Sequence, residues 1–492
     1  MSFPENLKTN TRYSTLPESF YRRVKPEPLT NPYLVSFSPQ MAELLDIDPE
    51  RLRRSEFIDI FTGNQLVNGS DPIAMIYSGH QFGQYVPQLG DGRALLLGEI
   101  EASDGDTWEI QLKGAGLTPF SRMGDGRAVM RSTIREFLIS EAMAGLGIPT
   151  TRALCITASE DEVYREKIES AAVLTRAAPS HVRFGNFELF FYRQEYEELK
   201  ILADFVIEQF YPASREAENP YLDLLEQVID RTARLIAQWQ LVGFTHGVMN
   251  SDNMSILGLT IDYGPYGFLD TYTAGFVCNH SDHQGRYAYD QQPRIGLFNL
   301  SCLAQALLPL IDDADGDAAA EKAKQKLGEY QALYAQYYED GMRRKLGLIE
   351  AREDDTELFA TLFTTMEGQV DFTNFFRDLC AFDELAEDHP LRDSFIQRNR
   401  FDQWAERYSQ RLRDENSDKA SRQTNMLAVN PKYVLRNYMA QIAITKAETK
   451  DFSEVDTLLN LLTRPFDDQA DMDTYAQEPP EWAKTLDLSC SS

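Results

Sequence analysis

Hydrophobic positions along the chain separate a strand-rich region from a longer helical region. Residues 94–99 and 108–113 predict two strands joined by a turn, since apolar and polar side chains alternate along the second segment. Its apolar side chains would share one face, and its polar side chains, Lys113 among them, would share the other. The pattern from about residue 71 to 180 is therefore typical of mixed α/β structure.

Apolar residues three and four positions apart predict helices in four further segments. These segments are residues 39–45, 131–146, 222–239 and 295–311. The last one is the longest apolar stretch, but Asn299, Ser301 and Gln305 interrupt it, which indicates a core helix rather than a membrane span. Residues 245–293, rich in Gly, Asp, Asn and His, separate the third of these helices from the fourth. We expect an α+β fold in which a small α/β part precedes a larger, mainly helical part.

These shifts in pattern predict four consecutive regions. Residues 1–70, rich in proline and turns, would form an N-terminal extension, and residues 71–184 would form the small α/β domain. Residues 185–350 would form the larger helical domain with the polar loops, and residues 351–492 a helical C-terminal extension whose tail carries Cys490. Because enzymes with two such parts commonly bind substrates in the crevice between them, we expect the functional site there.

The charge balance limits the partners that the protein can have. The 492 residues include 77 acidic and 48 basic side chains, so the net charge at pH 7 is −29. A surface this negative repels nucleic acids and anionic lipids, which argues against either as the main partner. Any anion that the protein binds must therefore occupy a local cluster of basic side chains.

Cysteine usage and the N-terminus predict a cytoplasmic protein. The five cysteines are scattered, with no pair at the spacing of a metal site, as expected in a reducing compartment. The first residues lack the apolar core of a signal peptide, and Glu5 and Glu18 argue against a transit peptide.

A short repeated sequence is the first candidate for anion binding. Gly-Asp-Gly-Arg-Ala occurs at residues 90–94 and again at residues 124–128. Glycines let backbone N–H groups approach an anion, and the adjacent arginine can bind a phosphate through two hydrogen bonds. The first copy leads into a predicted strand and the second into the helix at residues 131–146, whose N-terminus adds positive potential. The alternative is a pair of Asp-Gly turns.

Three basic residues are further candidates for phosphate binding. Lys113 ends a predicted strand, and Glu136 lies in the next helix, an order that protein kinases use to hold a phosphate-binding lysine. The alternative for Lys113 is a solvated side chain. Arg176 and Arg183 lie close together near the expected boundary between the two parts, where they could bind a polyphosphate or form surface salt bridges.

The most specific signal is the segment His-Gly-Val-Met-Asn-Ser-Asp-Asn at residues 246–253, followed by Asp-Tyr-Gly at residues 262–264. The order and spacing match the catalytic and metal-binding loops of kinases, and the oxygens of Asn253 and Asp262 suit Mg²⁺. Val248 stands where those loops carry the catalytic aspartate, and the nearest substitute is Asp252. Either phosphoryl transfer is lost or the base has moved.

Four long runs give the sequence a family resemblance. They are QLGDGR at 88–93, QLKGAGLTPFSR at 111–122, HGVMNSDNMS at 246–255 and IDYGPYGFLD at 261–270. With these runs the chain resembles the selenoprotein O pseudokinases over about residues 81–293. The resemblance implies a protein-kinase-like bilobal fold, in which the α/β domain is the N-lobe and the helical domain is the C-lobe. It also implies a protein adenylyltransferase, which moves AMP from ATP to a Ser, Thr or Tyr hydroxyl of a protein substrate, with ATP inverted relative to kinases.

The resemblance further implies a role for each candidate residue. Lys113, Arg176 and Arg183 would hold the phosphates, Asp252 would be the base, and Asn253 and Asp262 would bind Mg²⁺, with Mn²⁺ as the alternative. The remaining nucleotide-binding residues would be Gly90, Gly92, Arg93, Asp125 and Gly126. This agrees with a physical argument: attack at the α-phosphate directs the β- and γ-phosphates away from the base and metal, so their charge needs additional cations.

Three hypotheses remain open at this point. Family members in animals carry a selenocysteine near the C-terminus, and Cys490 in the corresponding tail suggests a reversible disulfide with Cys278. A small-molecule kinase of the aminoglycoside-phosphotransferase type has a similar His-Gly loop, but Val248 argues against it. A catalytically inactive scaffold that binds nucleotide is the other alternative.

Overall fold

The computed structural model of this chain describes residues 7–102, 105–383 and 390–486. Most strands lie before residue 180 and most helices follow it, so the α+β class expected from the sequence is confirmed. The strands are β1 (Leu7–Lys8), β2 (Tyr21–Arg23), β3 (Tyr33–Phe37), β4 (Ile73–Met75), β5 (Gly79–Gln81), β6 (Gln84–Val86), β7 (Ala94–Glu101), β8 (Thr107–Lys113), β9 (Ala128–Val129), β10 (Arg152–Tyr164), β11 (Ile168–Ala178), β12 (Phe244–Thr245) and β13 (Gly267–Phe268).

The main sheet has nine strands, and its pairings are antiparallel. Its order is β2-β4-β7-β8-β11-β10-β3, with β1 paired to β7 and β9 paired to β11. The two strands predicted at 94–99 and 108–113 are β7 and β8. Strands from the first 70 residues therefore belong to the same sheet as the rest of the α/β part. The short pairs β5–β6 and β12–β13 lie outside this sheet.

Strand β8 is buried on both faces. Ile110 and Leu112 have no exposed surface, as the alternating pattern predicts. The polar face is covered as well: Glu109, Gln111 and Lys113 are 1%, 0% and 8% exposed. The alternative of a solvated Lys113 is therefore wrong, because β8 lies inside the sheet and its polar face meets other charged groups instead of water.

Of the α-helices within the described residues, three lie before residue 183 and eleven follow it. They are α1 (Pro39–Leu44), α2 (Ser55–Thr62), α3 (Met130–Gly145), α4 (Phe184–Tyr192), α5 (Tyr196–Phe210), α6 (Pro220–Leu241), α7 (Gln292–Ile311), α8 (Gly316–Lys345), α9 (Asp355–Met366), α10 (Phe372–Leu379), α11 (Arg398–Asp414), α12 (Lys419–Leu427), α13 (Asn437–Ala447) and α14 (Ser453–Leu462). The four helices predicted from periodicity are α1, α3, α6 and α7, each within a few residues of the predicted bounds.

Helix α6 shows how local sequence specifies these elements. Asn219 caps its N-terminus by accepting a hydrogen bond from the backbone N–H of Leu222 at 3.0 Å, and Pro220 occupies the first turn. The helix is followed by Gly243, which adopts a left-handed conformation at φ 71°. Between these signals α6 buries one face against α7 and α8.

Helix α7 is the core helix that the sequence predicts. By length and composition alone, the helical segment Tyr289–Ile311 could cross a membrane, but 56% of its most apolar window is buried inside the protein. Its neighbours are α4, α6 and α8. Packing against protein therefore accounts for its apolar sequence.

Helix α3 joins the sheet to the C-terminal helices. Helix α3 packs on β10 and β11 of the sheet and also on α13 and α14. At the end of α3, a Cβ atom added to Gly145 would lie 2.4 Å from the carbonyl oxygen of Leu462. The close approach of α14 to α3 therefore requires glycine at this position.

We expect Gly145→Ala to destabilise the protein by about 1–3 kcal/mol, because the added methyl group would push α14 away from α3. The matched control is Gly328→Ala on α8, where nothing lies within 4 Å of the added Cβ. Alanine is the better helix former by about 0.5–1 kcal/mol, so the control should be neutral or stabilising. Denaturant unfolding followed by tryptophan fluorescence measures both, and equal midpoints for the two variants would contradict this packing.

Candidate functional site

A cavity of about 640 Å³ lies where the sheet meets the polar loops that follow α6. Every residue that the sequence analysis assigns to the site lines it: Gly90, Gly92, Arg93, Lys113, Asp125, Gly126, Arg176, Arg183, Asp252, Asn253 and Asp262. Both copies of the repeated Gly-Asp-Gly-Arg sequence are therefore brought to the same cavity, although they are separated by two strands of the chain.

The glycines of the repeat are required by close backbone packing. Gly90 has a φ of 132°, and an added Cβ would lie 2.6 Å from the ring of Phe120. Gly126 has a φ of 70°, and its Cβ would lie 2.1 Å from the carbonyl oxygen of Gly116. Side chains at these two positions would collide with the segment at residues 116–120, which packs against both loops.

Lys113 and Glu136 form the ion pair that their order in the sequence predicts. The Nζ atom of Lys113 lies 2.5 Å from Glu136 Oε2, which joins the end of β8 to α3. Arg176 of β11 approaches the other oxygen of Glu136 at 3.0 Å. Burial lowers the pKa of Lys113 from its ordinary value, against the opposing influence of Glu136. Both basic groups are therefore held in place by one carboxylate.

Asp262 is the centre of the charged cluster. Arg176 and Arg183 each donate a hydrogen bond to one of its oxygens, and Lys113 Nζ lies 3.4 Å from Oδ1. Burial raises the pKa of this carboxyl group, but the charges of Arg183, Lys113 and Arg176 outweigh that effect and hold its pKa well below the usual range. The backbone of Asp262 is left-handed at φ 57°, which fits its position in a tight loop.

Arg183 is fixed on several sides. Its backbone N–H donates to Asn186 Oδ1 at 2.8 Å at the start of α4, and its guanidinium group donates to the backbone oxygen of Asp252 at 2.9 Å. The same group lies over the ring of Tyr77 at 4.7 Å from the centroid. Arg183 is only 2% exposed, so the surface salt bridge considered as its alternative role is wrong.

The loop that follows α6 is hydrogen-bonded to the segment carrying Asp262 and within itself. His246 Nε2 is hydrogen-bonded to the backbone oxygen of Ile261 at 3.0 Å, which ties this loop to the segment carrying Asp262. The Asn253 amide nitrogen donates to the backbone oxygen of Val248 at 3.0 Å, so its side-chain oxygen is the atom left for a ligand. Val248 lines the cavity and offers no side-chain proton acceptor.

Asp252 is a buried carboxyl group with a raised pKa. Burial raises its pKa to about 7, although Arg183 opposes the shift. Gln81 Nε2 donates to Asp252 Oδ2 at 3.3 Å, and within the described residues Oδ1 is buried without a hydrogen-bond partner. A buried carboxylate oxygen that lacks a donor beside a cavity is suited to accept a proton from a bound group.

The hairpin formed by β5 and β6, which was not predicted from the sequence, packs against the loop carrying Asp252. The His80 backbone N–H donates to Ser251 Oγ at 2.7 Å, and an added Cβ on Gly79 would lie 2.9 Å from Asp252 Cβ. Gln81 follows on the same strand. The Phe-Gly turn at residues 82–83 signals a hairpin, but no spacing in the sequence links it to Asp252.

Asp125 has a partner that the sequence did not indicate. Arg165, between β10 and β11, donates to both carboxylate oxygens of Asp125 at 2.7 and 3.0 Å. This bidentate pair lowers the pKa of Asp125. The carboxylate is 45% exposed at the cavity mouth, where it orients Arg165 toward the same space.

Cys278 lies beside the loop that follows α6. Its Sγ atom is buried and lies 3.6 Å from the backbone oxygen of Thr245. An added Cβ on Gly247 would lie 2.6 Å from this sulfur. Cys490 lies outside the described residues, so the disulfide with Cys278 stays a prediction.

The two predicted metal ligands offer the right donor atoms. Asn253 and Asp262 line the same cavity and present an amide and a carboxylate, which are hard oxygen ligands. Arg176 and Arg183 now hold Asp262, and an incoming phosphate could take over both arginines and release the carboxylate for a cation. The residues present therefore fit a divalent cation that binds together with a polyphosphate.

Comparisons with known proteins agree over nearly the whole chain. The sequence model of the family described as "Protein adenylyltransferase SelO" matches residues 4–463. The chain is 56% identical over 489 residues to the protein nucleotidyltransferase YdiU of Thioalkalivibrio sulfidiphilus, covering 99% of each chain. It is 53% identical over 496 residues to the protein of that name from Thiobacillus denitrificans, covering 100% of each. The protein of that name from Vibrio vulnificus is 51% identical over 499 residues, again covering 100% of each chain.

We expect Asp262→Asn to strengthen binding of tripolyphosphate about fivefold when a chelator removes divalent cations. The carboxylate competes with an anion for Lys113, Arg176 and Arg183, and the variant removes that competitor. Isothermal titration calorimetry measures the dissociation constants. The matched control is Asp125→Asn, an exposed carboxylate on the same cavity, for which a smaller change is expected. Unchanged or weaker binding by Asp262→Asn would show that this carboxylate does not compete with anions.

Proposed function

Since this chain belongs to the family of protein adenylyltransferase SelO, we propose that it transfers AMP from ATP to Ser, Thr or Tyr hydroxyl groups of protein substrates. The resemblance to the selenoprotein O family is thereby confirmed, and the protein is a nucleotidyltransferase. The orientation of ATP, the substrate side chains and the role of each site residue belong to the proposal.

The observation that carries the proposal is the position of Asp252, the side chain in the loop after α6 that is suited to act as a base. Val248, at the position of the kinase aspartate, cannot accept a proton, whereas Asp252 has an unpartnered buried oxygen and a pKa of about 7. A base displaced from the kinase position is consistent with a displaced reacting centre. Attack at the α-phosphate in place of the γ-phosphate is such a displacement.

The cationic wall of the cavity supports an inverted nucleotide. Lys113, Arg176 and Arg183 come together around Asp262, and Arg183 also donates a hydrogen bond to the backbone oxygen of Asp252. We assign the β- and γ-phosphates to these three cations, which leaves the α-phosphate toward Asp252. The glycine loops and Arg93 would line the rest of the nucleotide.

Asn253 and Asp262 would hold the divalent cation, with Mg²⁺ favoured and Mn²⁺ as the alternative, because both residues present oxygen ligands. When bound, the cation neutralises charge on the phosphates and helps to orient them. The protein's own contribution is to position the reactants. The side chains of Lys113, Arg176 and Arg183 keep the pyrophosphate group in place, while the loop after α6 presents Asp252.

The reaction then proceeds by one displacement. The substrate hydroxyl oxygen attacks the α-phosphorus, the bond from that phosphorus to the bridging oxygen of the β-phosphate breaks, and pyrophosphate leaves. The hydroxyl proton passes to Oδ1 of Asp252. Lys113, Arg176 and Arg183 stabilise the charge that develops on the leaving pyrophosphate.

The wider architecture is part of the same proposal. The sheet part and the helical part would correspond to the two lobes of a kinase-like fold, with region boundaries at residues 1–70, 71–184, 185–350 and 351–492. A cytoplasmic location and protein partners are proposed on the same basis, and the net charge of −29 argues against nucleic acid or anionic membrane as a partner.

The test uses purified protein, Mg²⁺ and ATP labelled at either the α- or the γ-phosphate. We expect label in protein from α-labelled ATP alone, and Asp252→Asn should reduce incorporation at least about 100-fold while nucleotide still binds, because the base is lost. The control is Asp204→Asn, which replaces an exposed carboxylate on α5 paired with Lys200.

Each other outcome has a definite meaning. Label from γ-labelled ATP alone would make the protein a kinase, and no label with nucleotide bound would favour a scaffold. Full transfer by Asp252→Asn would remove Asp252 from its role as base.

A pH profile tests the same assignment independently. Below its pKa of about 7 Asp252 is protonated and cannot accept the hydroxyl proton, so kcat/KM should fall about tenfold per pH unit on the acidic side. Gln81 lowers this pKa through its hydrogen bond, so Gln81→Leu should move the acidic limb toward higher pH. Initial rates across the pH range measure the profiles of the wild-type protein and of Gln81→Leu. Identical profiles would show that the titrating group is not Asp252.

A further inference from the structure

Three side chains that are far apart in the sequence meet behind the β5–β6 hairpin. They are His80 on β5, Glu188 on α4 and Cys302 on α7. One nitrogen, oxygen or sulfur atom from each lies within 4.8 Å of the corresponding atoms of the other two. This cluster differs from Asn253 and Asp262 in its ligand atoms. It combines nitrogen, oxygen and sulfur, whereas Asn253 and Asp262 offer oxygen.

The cluster contains an unsatisfied polar atom. The side chain of Glu188 has no exposed surface, and within the described residues its Oε1 atom has no hydrogen-bond partner. Its other oxygen lies 2.5 Å from His80 Nδ1. Because a buried carboxylate oxygen without a partner costs roughly 1–3 kcal/mol or more, an ion or a water bound at this position would stabilise the protein.

We propose that His80, Glu188 and Cys302 form a binding site for a transition-metal ion of the zinc type. Imidazole, carboxylate and thiolate are the ligands that zinc commonly uses, and a hard cation such as Mg²⁺ avoids sulfur. Three protein ligands leave a fourth position for water or another small ligand.

A modest adjustment brings the three side chains to ligand geometry. Tetrahedral zinc with bonds of about 2.0–2.1 Å holds neighbouring ligand atoms about 3.3 Å apart, so the 2.5 Å contact between His80 and Glu188 would have to widen. His80 has 13% of its side chain exposed, which gives its ring room to move. Burial, with a contribution from Glu188, raises the pKa of Cys302 to about 12, so metal uptake would release the thiol proton and strengthen with pH.

The site would connect three elements around the catalytic loop. An ion there ties β5 to α4 and α7, and β5 also carries Gln81, the residue that contacts Asp252. The aromatic rings of Tyr85 and Phe298 lie 5.4 and 5.8 Å from the His80 ring. Metal binding itself is independent of the proposed AMP transfer.

The experiment titrates metal-free full-length protein with Co²⁺ in the presence of excess Mg²⁺, which occupies oxygen-only sites. We expect one equivalent to give a thiolate-to-cobalt charge-transfer band and the visible bands of a tetrahedral ion, both displaced by Zn²⁺. His80→Ala and Cys302→Ser should each weaken Zn²⁺ binding at least about tenfold in competition with a chromophoric chelator, and Cys302→Ser should lose the thiolate band.

The matched control is Cys155→Ser, which alters another buried cysteine, on β10, and should keep the wild-type affinity and spectrum. If Cys302→Ser does not fold, X-ray absorption of wild-type protein with one equivalent of zinc replaces it, and should show one sulfur neighbour at about 2.3 Å, absent or weakened in His80→Ala. Co²⁺ bands without thiolate character, zinc without a sulfur neighbour, or equal affinity in all variants would overturn the site and leave a hydrogen bond between His80 and Glu188.

Discussion

The carboxylate of Asp262 pairs with three cationic side chains at the wall of the cavity, and the arrangement of the surrounding elements depends on this pairing. Lys113 comes from β8, Arg176 from β11 and Arg183 from the start of α4. A charge removed from water costs several kcal/mol unless it is paired. The sheet and the loop that carries Asp262 therefore stay together, since separating them would leave Glu136 as the sole close carboxylate partner of both Lys113 and Arg176.

The same cluster explains how a strongly acidic protein can bind a polyphosphate. The net charge of −29 repels anions from most of the surface, but within the cavity Lys113, Arg176, Arg183 and Arg93 concentrate positive charge on one wall. Asp262 keeps that charge compensated until an anion arrives. When a phosphate replaces the Asp262 carboxylate as the partner of the arginines, nucleotide binding would release a metal ligand. The groups that take part are already in place before the nucleotide binds.

Backbone packing positions the proposed base. An added Cβ on Gly79 would contact Asp252, and one on Gly185 would lie 2.1 Å from the backbone oxygen of Ser78, so β5, α4 and the loop interlock where only glycine fits. Arg183 precedes Gly185 at the start of α4, and Glu188 follows Gly185 on the same helix. Helix α4 thus links the cationic wall, the base and the His80–Glu188–Cys302 cluster in a single short element.

Local sequence determined the elements with strong periodicity, such as α6 between Asn219 and Gly243, and it also determined which residue types meet in the cavity. It did not determine that the polar face of β8 is buried or that Gln81 contacts Asp252. Nor does any spacing bring His80 to Cys302. Helix periodicity and caps act over a few residues, so the sequence displays them directly. Contacts between distant segments depend on strand order, register and helix packing, which only the tertiary structure decides.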